Sequence, residues 1–270
     1  MNKTILVSLI SAQTIPNLQL IKEKQSEVDA YIFLTTKSME KRNVSTWLRE
    51  AANIDESILQ IIEINPFSFE DIESKLLKVD LDESSKYILN MTGGTKLMSI
   101  ATYEFFKDLL CEVYYVTGSD KEFIKVHPGR KKTLLKFNHS IELREYLKAY
   151  GFEIQGDNLG KPYLSESYAN HFMTLFPDFD ESDLAIVDQL RSARTKKNID
   201  ISSISGLSKF LDKIDYPEEK IKSSANQQKI TKYDARYLSG DWLEEYTFYK
   251  LCDELNLTDS AVGLGVNITK

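Results

Sequence analysis

The chain has 270 residues, 42% hydrophobic and 28% charged, with a formal net charge of −7, which leaves ample length to bury a core and excludes a general basic footprint for nucleic acid. Any polyanion must therefore be held by local positive groups. No apolar run is long enough to span a bilayer, and Cys111 and Cys252 lie far apart without metal-ligand spacing, which fits a reducing cytoplasm and argues against a disulfide framework.

In chain order, the first apolar run, ILVSLIS at 5–11, continues into QTIPN rather than a small-residue cleavage site, so it reads as a strand and not as a secretory signal. Further short apolar runs follow at 28–36, 58–64, 86–92 and 112–118. They are largely continuous rather than alternating, as strands buried on both faces should be. Helical patterns lie between them at 17–24, 39–53, 68–78 and 96–110. Such alternation predicts an α/β fold built on a doubly wound, mainly parallel sheet with right-handed crossovers, in which ligands sit at the carboxyl ends of the strands.

Beyond the fifth run, residues 121–128 and 131–138 read as two strands joined through Pro128-Gly-Arg130, and 140–150 has a helical pattern. The glycine-rich stretch Gly151–Lys161 is the expected boundary. After it come helical segments at 166–176 and 181–194, then shorter polar pieces to Lys232. The organisation expected is a sheet domain over 1–150, a mainly helical connector over 151–237, and a separate segment over 238–270.

The most informative stretch is KYILNMTGGTKLMSIATYEFFKDLL, from Lys86 to Leu110. An apolar strand delivers the chain to Thr92, Gly93 and Gly94 permit a tight turn and a close approach to a ligand, and Thr95 and Lys96 open a helix. Backbone N–H groups, the positive helix end, two hydroxyls and one ammonium then converge, as an anion cradle requires. The motif is neither a Walker A loop nor G-x-G-x-x-G. A plain strand-to-helix turn is the alternative, and the paired glycines with flanking threonines and lysine favour anion binding over it.

The other strand-end loops carry similar groups: Gln13, Thr14 and Asn17 after the first strand, Thr35, Thr36 and Lys37 after the second, Asn65-Pro66-Phe67 after the third, and Thr117-Gly118-Ser119 after the fifth. Each alone is ordinary loop chemistry. Together on one sheet edge they supply hydrogen-bond donors and positive charge for a phosphate-bearing ligand. Lys37 reads equally well as a solvated helix start, and Pro16 as a rigid turn. No His, Cys or carboxylate cluster appears on this edge, which points to recognition rather than chemistry. His127, His139 and His171 are scattered and have no spacing partner.

Gln13-x-x-Pro16-Asn17, Thr35-Thr36-Lys37 and Asn90-Met-Thr-Gly-Gly-Thr-Lys96 resemble the CARF domains, the CRISPR-associated Rossmann-fold sensors. The nearest subfamily joins a CARF domain to a PD-(D/E)xK-type nuclease, whose opening G-x-W-[LF]-E helix is matched by Gly240-Asp-Trp-Leu-Glu244. The resemblance covers roughly the first 140 residues and, in part, about the last 35. It implies a Rossmann-like sensor in a cytoplasmic homodimer that binds a cyclic oligoadenylate, with cyclic tetra-adenylate the expected ring, in type III CRISPR antiviral defence. It assigns Thr92, Gly93, Gly94, Thr95 and Lys96 to the phosphate and ribose cradle, Gln13, Thr14 and Asn17 to a base or ribose, and Thr35, Thr36 and Lys37 to closure of the site. It also implies a divalent metal, Mg or Mn, for the nuclease of a full-length relative, with single-stranded nucleic acid as its substrate; sensing itself requires none.

Glu244 is the position that the resemblance matches to a metal-binding helix carboxylate, although acidic residues in a first helical turn also serve the helix dipole. The catalytic Asp and E-x-K expected of that nuclease are absent: Glu218-Glu-Lys220 spells E-x-K but lies in a polar stretch without a strand, and AVGLGVNITK reads as the opening of a strand where the catalytic core is expected to begin. Two other readings stand beside the sensor. One is a CARF-type DNA-binding regulator, using Arg191, Arg194, Lys196 and Lys197 with a winged helix formed by 183–190 and 202–214; a connector with a solvated charged face is favoured over it. The other is a ring nuclease that degrades its own ligand.

Overall fold

The computed structural model describes residues 3–269 apart from 80, 83, 118–121, 130–131, 156–158, 225–226, 259 and 267. Gly118 and Ser119 of the fifth loop, Arg130 of the hairpin and part of the expected boundary thus lie outside the described residues. The chain forms two compact units, Met1–Gln155 with Ile268–Lys270, and Gly156–Asn267.

In the first unit the parallel strands β1 (Thr4–Leu9), β2 (Ala30–Thr35), β3 (Leu59–Glu63), β4 (Lys86–Asn90) and β5 (Cys111–Val116) alternate with the helices α1 (Ile15–Lys24), α2 (Lys37–Glu40), α3 (Val44–Ala51), α4 (Phe69–Leu76) and α5 (Lys96–Phe106). The strands β6 (Glu122–His127) and β7 (Thr133–Lys136), the two strands that the sequence predicts here, add to β5 antiparallel before α6 (Leu143–Ala149) and β8 (Glu153–Ile154). The sheet order is β3-β2-β1-β4-β5-β6-β7, a Rossmann-like arrangement. Its direction of growth reverses at β1, which pairs with β2 on one side and β4 on the other.

Burial on both faces explains the continuous apolar runs. Leu6, Phe33 and Ile88 pack with Leu18, Ile21 and Leu48 of α1 and α3, while Val7, Leu34 and Leu89 pack with Ile72, Leu76, Met98 and Phe106 of α4 and α5. The run at 58–64 departs from that expectation: β3 is an edge strand with Gln60, Ile61 and Glu63 exposed. The single helix expected over 39–53 is broken in two at Asn43, whose left-handed φ of 58° is tolerated by asparagine.

The second unit contains α7 (Glu166–Leu175), α8 (Glu181–Ala193), β9 (Asn198–Asp200), α9 (Leu207–Lys213), β10 (Lys222–Ser224), β11 (Gln227–Thr231), α10 (Lys232–Arg236) and α11 (Trp242–Leu255). Phe172, Leu190, Leu207, Phe210, Ile230, Tyr237 and Trp242 form its core. Where the sequence suggests only short polar pieces, β10-β11-β9 form an antiparallel sheet. These strands escape detection because they run three to five residues and only Ile199 and Ile230 point inward. The path α8-β9-α9-β10-β11 resembles a winged helix in order, but a single α-helix, preceded by a 3-10 turn at Ile201–Ser203, stands between β9 and the β10–β11 hairpin where a winged helix has two. A last strand, β12 (Ile268–Thr269), pairs with β8 in the first unit. Among the described residues no helix is long and apolar enough to cross a membrane.

One ion-pair group fastens the antiparallel extension to the parallel sheet. On β5, Glu112 meets Lys86 of β4 at 3.2 Å and Lys125 of β6 at 2.6 Å, and accepts from the Tyr114 hydroxyl at 2.9 Å. Partial burial raises its pKa, but the Lys125, Tyr114 and Lys86 donors outweigh that and bring it from the usual 4.5 to about 2. A depressed folded pKa contributes stability above the unfolded value and loses it as pH falls toward the folded one. Glu112→Gln is therefore expected to lower the melting temperature at neutral pH, with the difference from wild type shrinking between about pH 4.5 and 2 in pH-dependent thermal melts.

Candidate functional site

The carboxyl ends of β1, β2 and β4 stand side by side, so the loops that follow them share one edge. At its centre is a relay of side-chain amides and a hydroxyl. The buried Asn17, on α1, donates from Nδ2 to the Leu9 carbonyl at 2.9 Å, and Asn90, at the end of β4, donates to Asn17 Oδ1 at 2.8 Å. Asn90 Oδ1 in turn accepts from the Thr92 hydroxyl at 2.7 Å and its N–H at 3.2 Å. The same hydroxyl accepts from the Val116 N–H at 2.8 Å. Three strand ends and one helix are thereby locked together, with every buried amide partnered as burial demands.

The turn is shaped by that lock. A Cβ on Gly93 would lie 1.9 Å from the Leu9 carbonyl oxygen, so only glycine lets the turn rest against the end of β1. Gly94 takes a left-handed φ of 74°. Thr95 caps α5, accepting from the Met98 N–H at 3.2 Å while its hydroxyl donates to the Pro66 carbonyl at 2.9 Å. As at any helix start, the N–H groups of Lys96 and Leu97 have no intrahelical acceptor.

The second loop is organised likewise. Thr35 is buried and donates to Glu40 Oε1 at 2.6 Å, an acceptor shared with Ser45 at the same distance. Thr36 caps α2 by accepting from the Met39 N–H at 3.4 Å. Thr14 is buried at the start of α1. The side chains of Asn17, Thr35, Thr36, Thr92 and Thr95 thus all make bonds within the protein. Gln13, Lys37, Gly94 and Lys96 are exposed on the same edge. Among the described residues neither Lys37 nor Lys96 has an ion-pair partner. A cleft of about 330 Å³ opens beside Lys37, walled by Thr36, Ser38, Asn65, Pro66 and Lys75 and by the carboxylates of Glu63 and Asp71; Lys96 is not in its wall. The arrangement can bind an anion through cations, helix N–H groups and exposed backbone; it holds no nucleophile–base pair.

Asn90, in the lock, and Glu40, which holds Thr35 and Ser45 in the second loop, lie outside the residues expected to form the site. A signal for Asn90 exists, since it is the polar end of an otherwise apolar strand. Cys111 is buried in β5, and burial pushes its thiol up to about 12, so it is unreactive.

In the second unit, Glu244 is exposed on α11, whereas its neighbour Glu245 is buried and accepts from the backbone N–H groups of Tyr163 and Leu164. Among the described residues no group of three or more His, Cys, Asp or Glu side chains could hold a metal ion, so the metal implied for the nuclease has no fitting site among them and no metal-dependent step follows. Glu218-Glu-Lys220 forms a short 3-10 turn, and Lys220 sits 3.9 Å over the Tyr163 ring. This unit has the larger cavity, about 870 Å³, but its wall is mostly serine hydroxyls and glutamine amides, with Asp200 and Lys209 as its charges. The strand edge, at the topological switch of an α/β sheet and with two unpaired lysines, is the stronger candidate.

A family model described as the Card1 CARF domain matches residues 5–146, just over half of the chain. No curated protein matches the sequence. Among solved structures, Can2 from Sulfobacillus thermosulfidooxidans in complex with cyclic tetra-adenylate is similar at 20% identity and a TM-score of 0.61, over 94% of this chain and 68% of that one. Protein VC1899 from Vibrio cholerae is similar at 16% identity and a TM-score of 0.71, over 98% and 72%. A type III CRISPR defence DNA nuclease activated by cyclic oligoadenylate is similar at 14% identity and a TM-score of 0.57, over 98% of this chain and 38% of that one. At these identities the likeness is one of fold.

The close approach at Gly93 has a direct test. Gly93→Ala, which drives a Cβ into a fixed carbonyl, is expected to cost about 3 kcal/mol or more. Gly94→Ala, strained in φ but facing the flexible end of Met98, is expected to cost about 1 kcal/mol. Urea unfolding of the two variants beside wild type measures both.

Proposed function

Since the chain belongs to the Card1 CARF domain family, we propose that its strand-end edge senses a cyclic oligoadenylate in type III CRISPR defence, with cyclic tetra-adenylate the expected ring. The observation that carries this reading is the locked TGGTK turn at the β1–β4 switch, which offers helix N–H groups and the exposed Lys96, with Lys37 exposed after β2 on the same sheet edge. The fold shared with Can2, a protein solved with cyclic tetra-adenylate, supports the choice of ring.

On this reading Lys96 and Lys37 meet phosphates, exposed Gln13 meets a base or ribose, and Gly93 and Gly94 let the backbone approach. Asn17, Thr35, Thr36, Thr92 and Thr95 act mainly by holding that shape, and Thr14 is buried at the start of α1. A ring of four phosphates has symmetry that one protomer cannot match, so a homodimer sharing the ring would present the turn twice. Binding would shift the dimer between two arrangements and pass the change to the second unit. In a full-length relative the output would be a metal-dependent nuclease acting on single strands; one structure of similar fold is a DNA nuclease activated by cyclic oligoadenylate. Sensing by these residues needs no metal, and the cytoplasm is the expected compartment.

A second reading, the CARF-type DNA-binding regulator, draws on one observation, the helix-strand-helix-hairpin order of the second unit, which resembles a winged helix lacking one helix. The exposed Arg191 is paired with Asp188 at 2.9 Å, which leaves Arg194, Lys196 and Lys197 as exposed cations with no ion-pair partner among the described residues. That reading expects salt-dependent duplex binding in a mobility-shift assay that disappears when those three are changed to Ala.

The sensor reading expects calorimetry to show one cyclic tetra-adenylate bound per two chains, and Lys96→Ala to weaken binding about tenfold or more through loss of a charge-assisted contact. An absence of binding by the wild-type chain would sink it.

A further inference from the structure

The loop between β3 and α4 carries the most exposed large apolar side chain among the described residues, Phe67, at 80%. An aromatic ring left in water contributes little to the fold, yet this one stands on a backbone held from several directions. The Phe67 N–H donates to Asn65 Oδ1 at 3.1 Å, and the Asn65 N–H donates to Asp71 Oδ2 at 2.7 Å. Ser68, the next residue, caps α4 by accepting from the Asp71 N–H at 3.1 Å. The preceding residue, Pro66, has its carbonyl bound by the Thr95 hydroxyl. The phenyl ring is therefore one residue from a direct bond to the TGGTK turn, and Pro66 and Asn65 also wall the cleft that contains Lys37.

We infer that Phe67 is the base-stacking platform of the strand-end site, taking the flat face of an adenine whose phosphates lie at the turn; this rests on the sensor reading above. An exposed ring on a prearranged loop loses few conformers on binding, and every purine presents a π-face to it. The hydrogen bond from Thr95 to Pro66 then has a second use: it sets the distance between the phosphate cradle and the base platform.

The test compares Phe67→Ala, Phe67→Leu and Phe67→Tyr in the full chain, by calorimetry with cyclic tetra-adenylate, by fluorescence of the same ring carrying one 2-aminopurine, and by sedimentation. Stacking is worth about 5- to 150-fold in affinity, so Ala and Leu should weaken binding by at least about fivefold, while Tyr stays within about twofold. Quenching of the 2-aminopurine should persist with Tyr and be lost with Leu. Thermal stability should be the same in all three, given the exposure of the ring. Wild-type-like binding by the Leu or Ala variant overturns the assignment and leaves the sensor reading intact. Weakened binding accompanied by loss of the dimer also overturns it, by making Phe67 a subunit contact. If the wild-type chain itself fails to bind the ring, the sensor reading is what has failed.

Discussion

The bond from Asn90 Nδ2 to Asn17 Oδ1 is the constraint on which the strand edge depends. Both residues are buried, and an unpartnered amide at that depth costs about 1–3 kcal/mol, so neither can be satisfied without the other or a substitute. Their pairing fixes α1 against the end of β4. The remaining groups of each amide then reach the Leu9 carbonyl and Thr92. Leu9 is where these demands meet: its oxygen accepts from Asn17 and is the surface on which Gly93 rests. The glycine is required because the asparagine has already placed that carbonyl.

The second unit has its own buried polar hub. Asp234, fully buried, accepts from the hydroxyls of Tyr163 and Tyr216 and from both the N–H and the hydroxyl of Thr231. Tyr163 also gives its N–H to Glu245, whose pKa is raised by burial although the two backbone donors oppose that. One residue, Tyr163, thereby joins α10 and α11. Glu245 is the carboxylate that builds this unit, and Glu244 beside it points to solvent.

Much of the first unit was legible in the sequence because burial on both faces leaves a plain mark: continuous apolar runs separated by helical periods. The mark is weaker where it is most interesting. The run at 58–64 is as apolar as the central strands, yet it forms an edge, since strand position is set by pairing partners far away in the chain. The polar β9 to β11 carry hardly any apolar signal. At the site, the threonines after β2 and β4 read as ligand donors, but a hydroxyl that can bind a phosphate can equally cap a helix or hold a neighbouring strand, and only packing decides which. Adjacent acids on a helix pose the same problem: Glu244 and Glu245 are indistinguishable in sequence and differ by one step of rotation.

Because the turn after β4 is braced by side chains that are all partnered within the protein, its shape does not wait for a visitor. Loop ordering, a usual entropic cost of association, is largely met during folding. An anion arriving at this edge would therefore find the approach limited by diffusion and charge rather than by rearrangement, and its residence time would be governed by how many of the few exposed groups it engages at once.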